Sequence, residues 1–366
     1  MKRIILILSV MLLFVVGCEQ QEFEFGTYVP QTQLREKYNK SGQTPTGKIK
    51  WSLSTNSEIN SSPAVANNIV VFANNNGVIN ALNAVSGEKH WKSSRKLPTT
   101  ISKTSIEIEQ GNVFVAGDNG ILYALNLSNG NANWSFQTGG KILSTPIFTK
   151  RFIIISSTDG NVYFLNIKNG DLIHKITLNI PLQSSPTLYN NNVYIGGLDG
   201  KIYAFSGRAK TPLWTFKTKG AITGKPIVIN EKVYIGTTEN IFYCLNAKSG
   251  NHIWNKNLAG IITGTPVVNK DFTFIADGAG YVYAFRNIDS SLAWKIKTNG
   301  AILSSLALVD SNLYVPSGDG YLYSIKATSG KINWKFGVGT QINSTPIINN
   351  GIVYFGAKNG KFYAVK

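Results

Sequence analysis

Residues 197–226 read GLDGKIYAFSGRAKTPLWTFKTKGAITGKP, and the chain then writes nearly the same sentence again. Residues 237–266 read TTENIFYCLNAKSGNHIWNKNLAGIITGTP, and residues 278–306 read GAGYVYAFRNIDSSLAWKIKTNGAILSSL. The step, Gly200 to Asn240 to Gly280, is forty residues. A period of that size marks one large array of supersecondary units.

Three landmarks define the unit. Proline in an I-x-S-x-P context stands at Pro63, Pro146, Pro186, Pro226, Pro266 and Pro346, with Thr104 and Leu306 as substitutes. Glycine before an apolar-Tyr-apolar run stands at Gly77, Gly120, Gly160, Gly200, Gly280, Gly320 and Gly360, with Asn240 as substitute. Tryptophan stands at Trp51, Trp91, Trp134, Trp214, Trp254, Trp294 and Trp334, with His174 as substitute. All 7 tryptophans of the chain fall in this register.

Each unit holds four strand-like runs. In the fourth they are Leu182–Leu188, Asn192–Gly196, Lys201–Ala204 and Leu213–Lys217. Period-two alternation and β-branched or aromatic enrichment argue for strands. The DG and NG pairs supply the positive φ that tight hairpins need. Four antiparallel strands per unit is the pattern of a β-propeller blade, so the fold expected is all-β. The C-terminal unit ends at Lys366 without a Trp-bearing strand, and an orphan one, GKIKWSL at 47–53, precedes the first unit. The expectation is an eight-bladed propeller in which the N-terminal strand completes the last blade, leaving no open edge there. The Trp set is read as packing between blades.

The N-terminus carries a targeting signal. Lys2 and Arg3 precede an apolar run from Ile4 to Val16, which ends in VVGC at Cys18. The run is too short to span a bilayer as a mature helix. The junction resembles a bacterial lipobox, which implies a signal peptide over 1–17, cleavage before Cys18 and lipidation of its thiol. Residue 19 is Glu; under the sorting rule of Gram-negative enteric bacteria, the lack of Asp there implies the outer membrane. Residues 18–46 are polar and aperiodic and read as a tether, spanning about 30 Å as a flexible coil. The propeller is assigned 47–366.

The chain has 36 Lys and Arg against 19 Asp and Glu, a formal charge of +17, and loss of Lys2 and Arg3 leaves 17 − 2 = +15. Such a charge favours anionic surfaces. Export argues against nucleic acid. Cys244 is the second of only 2 cysteines, in YCL where sister units have YAL, and reads as a packed residue.

The pattern S-x-P, V-Y-x-G, D-G-x-x-Y-A-L and S-G-x-x-x-W, seen here in SSPTLYNNNVYIGGLDGKIYAF and ATSGKINW, resembles the pyrroloquinoline-quinone-type propeller repeat over residues 47–366. With a lipobox and a tether, the chain is similar to the BamB family, lipoproteins of the outer-membrane β-barrel assembly machinery. The resemblance implies a non-catalytic scaffold in the cell envelope, lipid-anchored in the outer membrane and facing the periplasm, with a protein partner. Alternatives are a quinone-dependent or other ligand-binding propeller enzyme, and a surface lipoprotein that binds polysaccharide.

The enzyme reading lacks support in the residues. Quinoprotein dehydrogenases of this architecture bind calcium through carboxylates and amides, use an Asp base and often stack the quinone on a vicinal disulfide. The mature region holds no Cys pair, and His90, His174 and His252 lie at or beside the Trp position of different blades, too far apart for a metal. Asp118, Asp159, Asp199, Asp277 and Asp319 recur at the second hairpin, where turn formation explains them. No catalytic residue, metal ligand or cofactor is assigned. For the partner, TLNIPL at 177–182 stands out: sister stretches read KTKGAI and KTNGAI. Leu178, Ile180, Pro181 and Leu182 are the expected contact residues, because apolar groups on a polar rim mark partner sites. The BamB family grips its barrel partner with a leucine- and arginine-bearing loop in this region; the loop here is shorter and has no arginine.

Overall fold

The computed structural model describes residues 44–366 apart from 92–94, 102–103 and 208. The expected signal peptide, Cys18 and the expected tether up to residue 43 lie outside the described residues.

Within the described residues the chain forms eight antiparallel sheets of four strands, an eight-bladed propeller with no helix. In blade four the strands, lettered A to D, are β14 (Thr187–Tyr189), β15 (Asn192–Gly196), β16 (Lys201–Ser206) and β17 (Trp214–Lys217). The A strand is shorter than the Leu182–Leu188 run of the sequence reading. Pro186 has no N–H to give the ladder, so residues 182–186 run as a lead-in along the ring axis instead.

Strand β1 (Ile49–Ser54) pairs antiparallel with β32 (Lys361–Val365), giving the last sheet the order β1, β32, β31 (Ile352–Gly356), β30 (Ile347–Asn349). The N–H of Lys48 donates to the carbonyl of Lys366 and the reverse bond also forms, both 2.7 Å. Order extends two residues upstream of the boundary drawn from sequence. Pro45 is buried, its carbonyl accepts from Trp334 Nε1 at 2.7 Å, and Thr46 Oγ1 donates to Lys366 O at 2.9 Å.

Packing follows the radial position of each strand. The B and C strands are buried on both faces, because each blade lies against two neighbours. Eight apolar clusters result, each shared by two adjacent blades. The cluster joining blades eight and one includes Phe72 stacked on Phe362 at 3.9 Å. The D strands alternate exposed and half-buried along the outer wall.

In seven of the eight blades a tryptophan in or just before the D strand docks on the C–D connection of the next blade. Trp51, Trp91, Trp214 and Trp294 donate from Nε1 to the carbonyls of Ala84, Leu127, Ala247 and Ala327. The indole faces of Trp51, Trp91, Trp134, Trp214, Trp294 and Trp334 lie on Gly87, Gly130, Gly170, Gly250, Gly330 and Gly47, where any Cβ would come within about 3 Å. Trp254 faces the turn that carries Ser290 at a positive φ of 58° in place of glycine. His174 faces the turn where Lys210 replaces glycine, so a flat indole gives way to a smaller ring.

One landmark shifts. Thr104 Oγ1 donates to Ala116 O at 3.0 Å, as Ser61 Oγ does to Ala73 O and Ser144 Oγ to Ser156 O. Thr104 therefore occupies the serine position of the repeat. Ile106, fourteen residues before Gly120, takes the proline position, and an extra residue sits in the preceding lead-in.

Candidate functional site

The D–A and B–C connections share one face of the ring, and the A–B and C–D turns share the other. The first, the loop face, is built by a recurring bond. The amide after each D strand donates to the B–C glycine carbonyl of the same blade, as from Thr138 to Gly120 and Leu178 to Gly160. Gly200 shows why glycine stands there: its φ is +73° and a Cβ would meet the Gly220 carbonyl at 2.6 Å. Asn240 takes the same left-handed conformation with φ 63°.

The recurring aspartates belong to this framework. Asp159 Oδ2 accepts from the Gly139 amide (2.7 Å) and from Tyr163 Oη (2.6 Å), while Oδ1 accepts from the Asn161 amide (3.0 Å). Asp319 repeats the set with Asn299, Tyr323 and Tyr321. Asp277 accepts from Ala259, Gly260 and Tyr283. Each carboxylate ties a B–C turn to the loop arriving from the previous blade. Burial raises the Asp159 carboxyl, but the bonds from Tyr163, Asn161 and Gly139 outweigh it and hold it below its ordinary value. Burial, then the bond to Asp159, pushes the Tyr163 phenol up to about 12. These acids are fastened into the frame of the loop face.

The stretch 178–182 sits on the loop face, but its residues differ in reach. Leu182 is 0% exposed and belongs to a ring of buried Ile and Leu that closes every D–A connection, so it cannot touch a partner. Leu178 and Ile180 are half-buried against the cluster of blades three and four. Ile180 Cδ1 fills the space beside Gly197, where a Cβ would lie only 2.4 Å from it. Pro181 is exposed. Two apolar residues that the sequence reading passed over are more open: Ile261 at 41% and Leu303 at 46% exposure. Their signals were available: Leu303 stands where several copies have Asn, Gln or Thr, and Ile261 where several have Lys, Pro, Ala or Gln.

Both residues border a cavity of 610 Å³ on the ring axis, lined by all eight lead-ins. Its other wall residues are chiefly Ser and Thr, with Glu58 and Lys358 among the charged groups and Lys225 before Pro226.

The outer wall differs in charge. The eight D strands carry Lys50, Arg95, Lys96, Lys175, Lys217, Lys256, Lys295, Lys297 and Lys335 and no Asp or Glu. These strands have one unpaired edge, and lysine there disfavours edge-to-edge pairing with another chain. Lys335 and Lys297 also lie over Tyr321 and Tyr281, 4.5 and 5.0 Å from the ring centres.

Of the remaining reactive groups, Cys244 is buried and burial pushes its thiol up to about 12, which makes it inert. His90 and His252 are exposed, and His174 is half-buried with its Nε2 unpartnered. Among the described residues no group of three His, Cys, Asp or Glu is placed to hold a metal.

A family profile described as outer membrane protein assembly factor BamB matches residues 41–140, 102–296 and 289–366, which together span the whole ring. The chain belongs to this BamB family. Among curated proteins no sequence matches it. Solved structures similar to it include BamB from Moraxella catarrhalis, at 17% identity over 87% of this chain and 98% of that one, with TM-score 0.73. Quinohemoprotein alcohol dehydrogenase from Comamonas testosteroni aligns at 12% identity over 90% and 78%, TM-score 0.74. Saccharomyces cerevisiae Sqt1 aligns at 13% over 88% and 99%, TM-score 0.75. At such identities these likenesses show the fold alone, and one of the three is an enzyme, so the residues must speak for function. Among the described residues the axial cavity has a single carboxylate on its wall, Glu58, which already accepts from Asn60 and Asn75. That donor set does not fit a quinone with calcium.

Proposed function

We propose that this protein is a non-catalytic, lipid-anchored interaction ring acting in outer-membrane β-barrel assembly from the periplasmic side. The observation that carries this reading is the BamB family profile, which covers the ring from its first strand to its last. The fastening of the loop-face aspartates supports it, because groups bound by amides and tyrosines make a stiff platform. A rigid ring with variable loops is suited to holding partners. We place the protein contact on the loop face, at Pro181 with the exposed edges of Leu178 and Ile180, and at Ile261 and Leu303 by the cavity mouth.

The anchor follows from the lipobox reading of Cys18. The chain enters the ring at Pro45, on the face opposite the loop face. Deleting the gene in the native host should lower the folded fraction of outer-membrane barrel proteins, read as heat-modifiable mobility in unheated gels. Unchanged barrel assembly refutes the role. Leu178→Asp with Ile180→Asp, and separately Ile261→Asp with Leu303→Asp, should reproduce the defect while the ring stays folded.

A further inference from the structure

The axial cavity has its own chemistry. One layer of its wall is the residue just before each proline position. Seven of these eight are Ser or Thr, from Ser62 round to Thr345, and the eighth is Lys225. The hydroxyls knit the blades together as acceptors. Ser185 Oγ accepts from the Thr145 amide at 2.8 Å, and Ser305 Oγ from Thr265 at 2.9 Å. Thr345 Oγ1 accepts from Ser305 at 3.2 Å, and Ser62 Oγ from Thr345 at 3.1 Å.

A hydroxyl that accepts from the wall still has its own proton to donate. The layer thus offers the cavity O–H donors beside an ammonium. Two residues before Lys225, Thr223 also lines the cavity, and its Oγ1 is buried without a hydrogen-bond partner. The acceptor side is poor, since Glu58 is already bound by two asparagine amides. Hydroxyl donors in one layer with Lys225, which already has a partner of its own, and with Lys358 also on the wall, make an anion receptor, because charge-assisted bonds to an oxyanion are about twice as strong as neutral ones. The volume, 610 Å³, exceeds what a single ion needs and falls in the range of small-molecule pockets.

We infer that the cavity binds a small hydroxylated oxyanion, a sugar acid or sugar phosphate, with Lys225 anchoring the charge and the Ser and Thr layer holding hydroxyls. This site is independent of the assembly role.

The test is calorimetric titration of the full chain, purified in mild detergent, with D-glucuronate, D-glucose 6-phosphate and neutral methyl glucoside. Saturable binding of at least one charged sugar is expected, and which one binds assigns carboxylate or phosphate. Lys225→Thr installs the residue that Thr145, Thr265 and Thr345 carry at sister positions, so the melting temperature should hold. Its affinity for the charged sugar should fall by about tenfold or more, about 1.4 kcal/mol, while Lys225→Arg retains binding. Lys225→Met, which keeps the apolar stem, gives a second neutral variant if threonine disturbs the wall. No saturable binding at millimolar concentration overturns the inference. So does undiminished affinity in both neutral variants, or a loss confined to Lys358→Ala.

Discussion

On the loop face, Asp159, Asp277 and Asp319 each accept from backbone amides and a tyrosine hydroxyl. On the outer wall, lysines stand on every D strand except β9 (Ala132–Gln137), and among the described residues these strands carry no carboxylate to answer them. The same forty-residue unit thus produces charge that is built into the frame and charge that is left to solvent. Charges of the first kind set local geometry, and removing one strands the donors that it served. Charges of the second kind act at a distance and are screened by salt.

The largest break in this comparison comes at the ring's seam. A chain that begins after Ser54 loses β1, exposes β32 as an edge and strips Trp51 and Leu53 from the cluster around Phe362. It is expected to aggregate or unfold cooperatively at room temperature, whereas a chain beginning at residue 44 keeps the Pro45 and Thr46 bonds and the full melting temperature. Equal melting of the two would remove the seam from the account.

Next is the contrast between packed and open apolar groups. Trp91 is 3% exposed and donates to Leu127 O. Trp91→Ala should cost about 3–5 kcal/mol by urea unfolding, while Leu213→Ala on the outer wall should change stability by less than about 0.5 kcal/mol.

Asp319→Ala tests the fastened acids. It leaves the Asn299 and Tyr321 amides and the Tyr323 hydroxyl without their acceptor, and should cost about 2 kcal/mol. Lys335→Ala on the wall should be neutral within error.

Acid sharpens the same distinction. Burial, then the nearby charge of Lys210, holds the His174 imidazole below its ordinary value. The unfolded chain takes that proton near pH 6.5 and the fold resists it, so the contribution is present above that pH and is lost as pH falls below it. The depressed Asp159 carboxyl contributes above the usual carboxylate range and is lost as pH falls through it. His174→Phe should therefore flatten the stability change between about pH 7.5 and 5.5, leaving the deeper acid limb intact. An unchanged slope removes His174 from the acid response.

The smallest effect belongs to the wall. Binding to vesicles with anionic lipid should weaken as salt rises, because exposed charges are screened beyond about 8 Å at physiological ionic strength. Salt-independent binding would separate the wall's lysines from any lipid contact.

The sequence by itself determined the blade count, the register of the Trp set and the pairing of the first strand with the last. These are periodic features: Gly200, Trp214 and Pro226 recur in fixed steps because each copy solves the same packing problem. Single-copy features were less legible. Thr104 looked like a proline substitute until its hydroxyl was seen to reach Ala116 O. Leu182 looked like part of an apolar loop, yet it is one member of the buried ring, since the apolar letter alone does not say which way a side chain turns. The openness of Ile261 and Leu303, and the gathering of seven hydroxyls and Lys225 in one layer around the axis, were decided only by tertiary structure. Residues forty apart in sequence meet there because closure of the ring brings every lead-in to one axis.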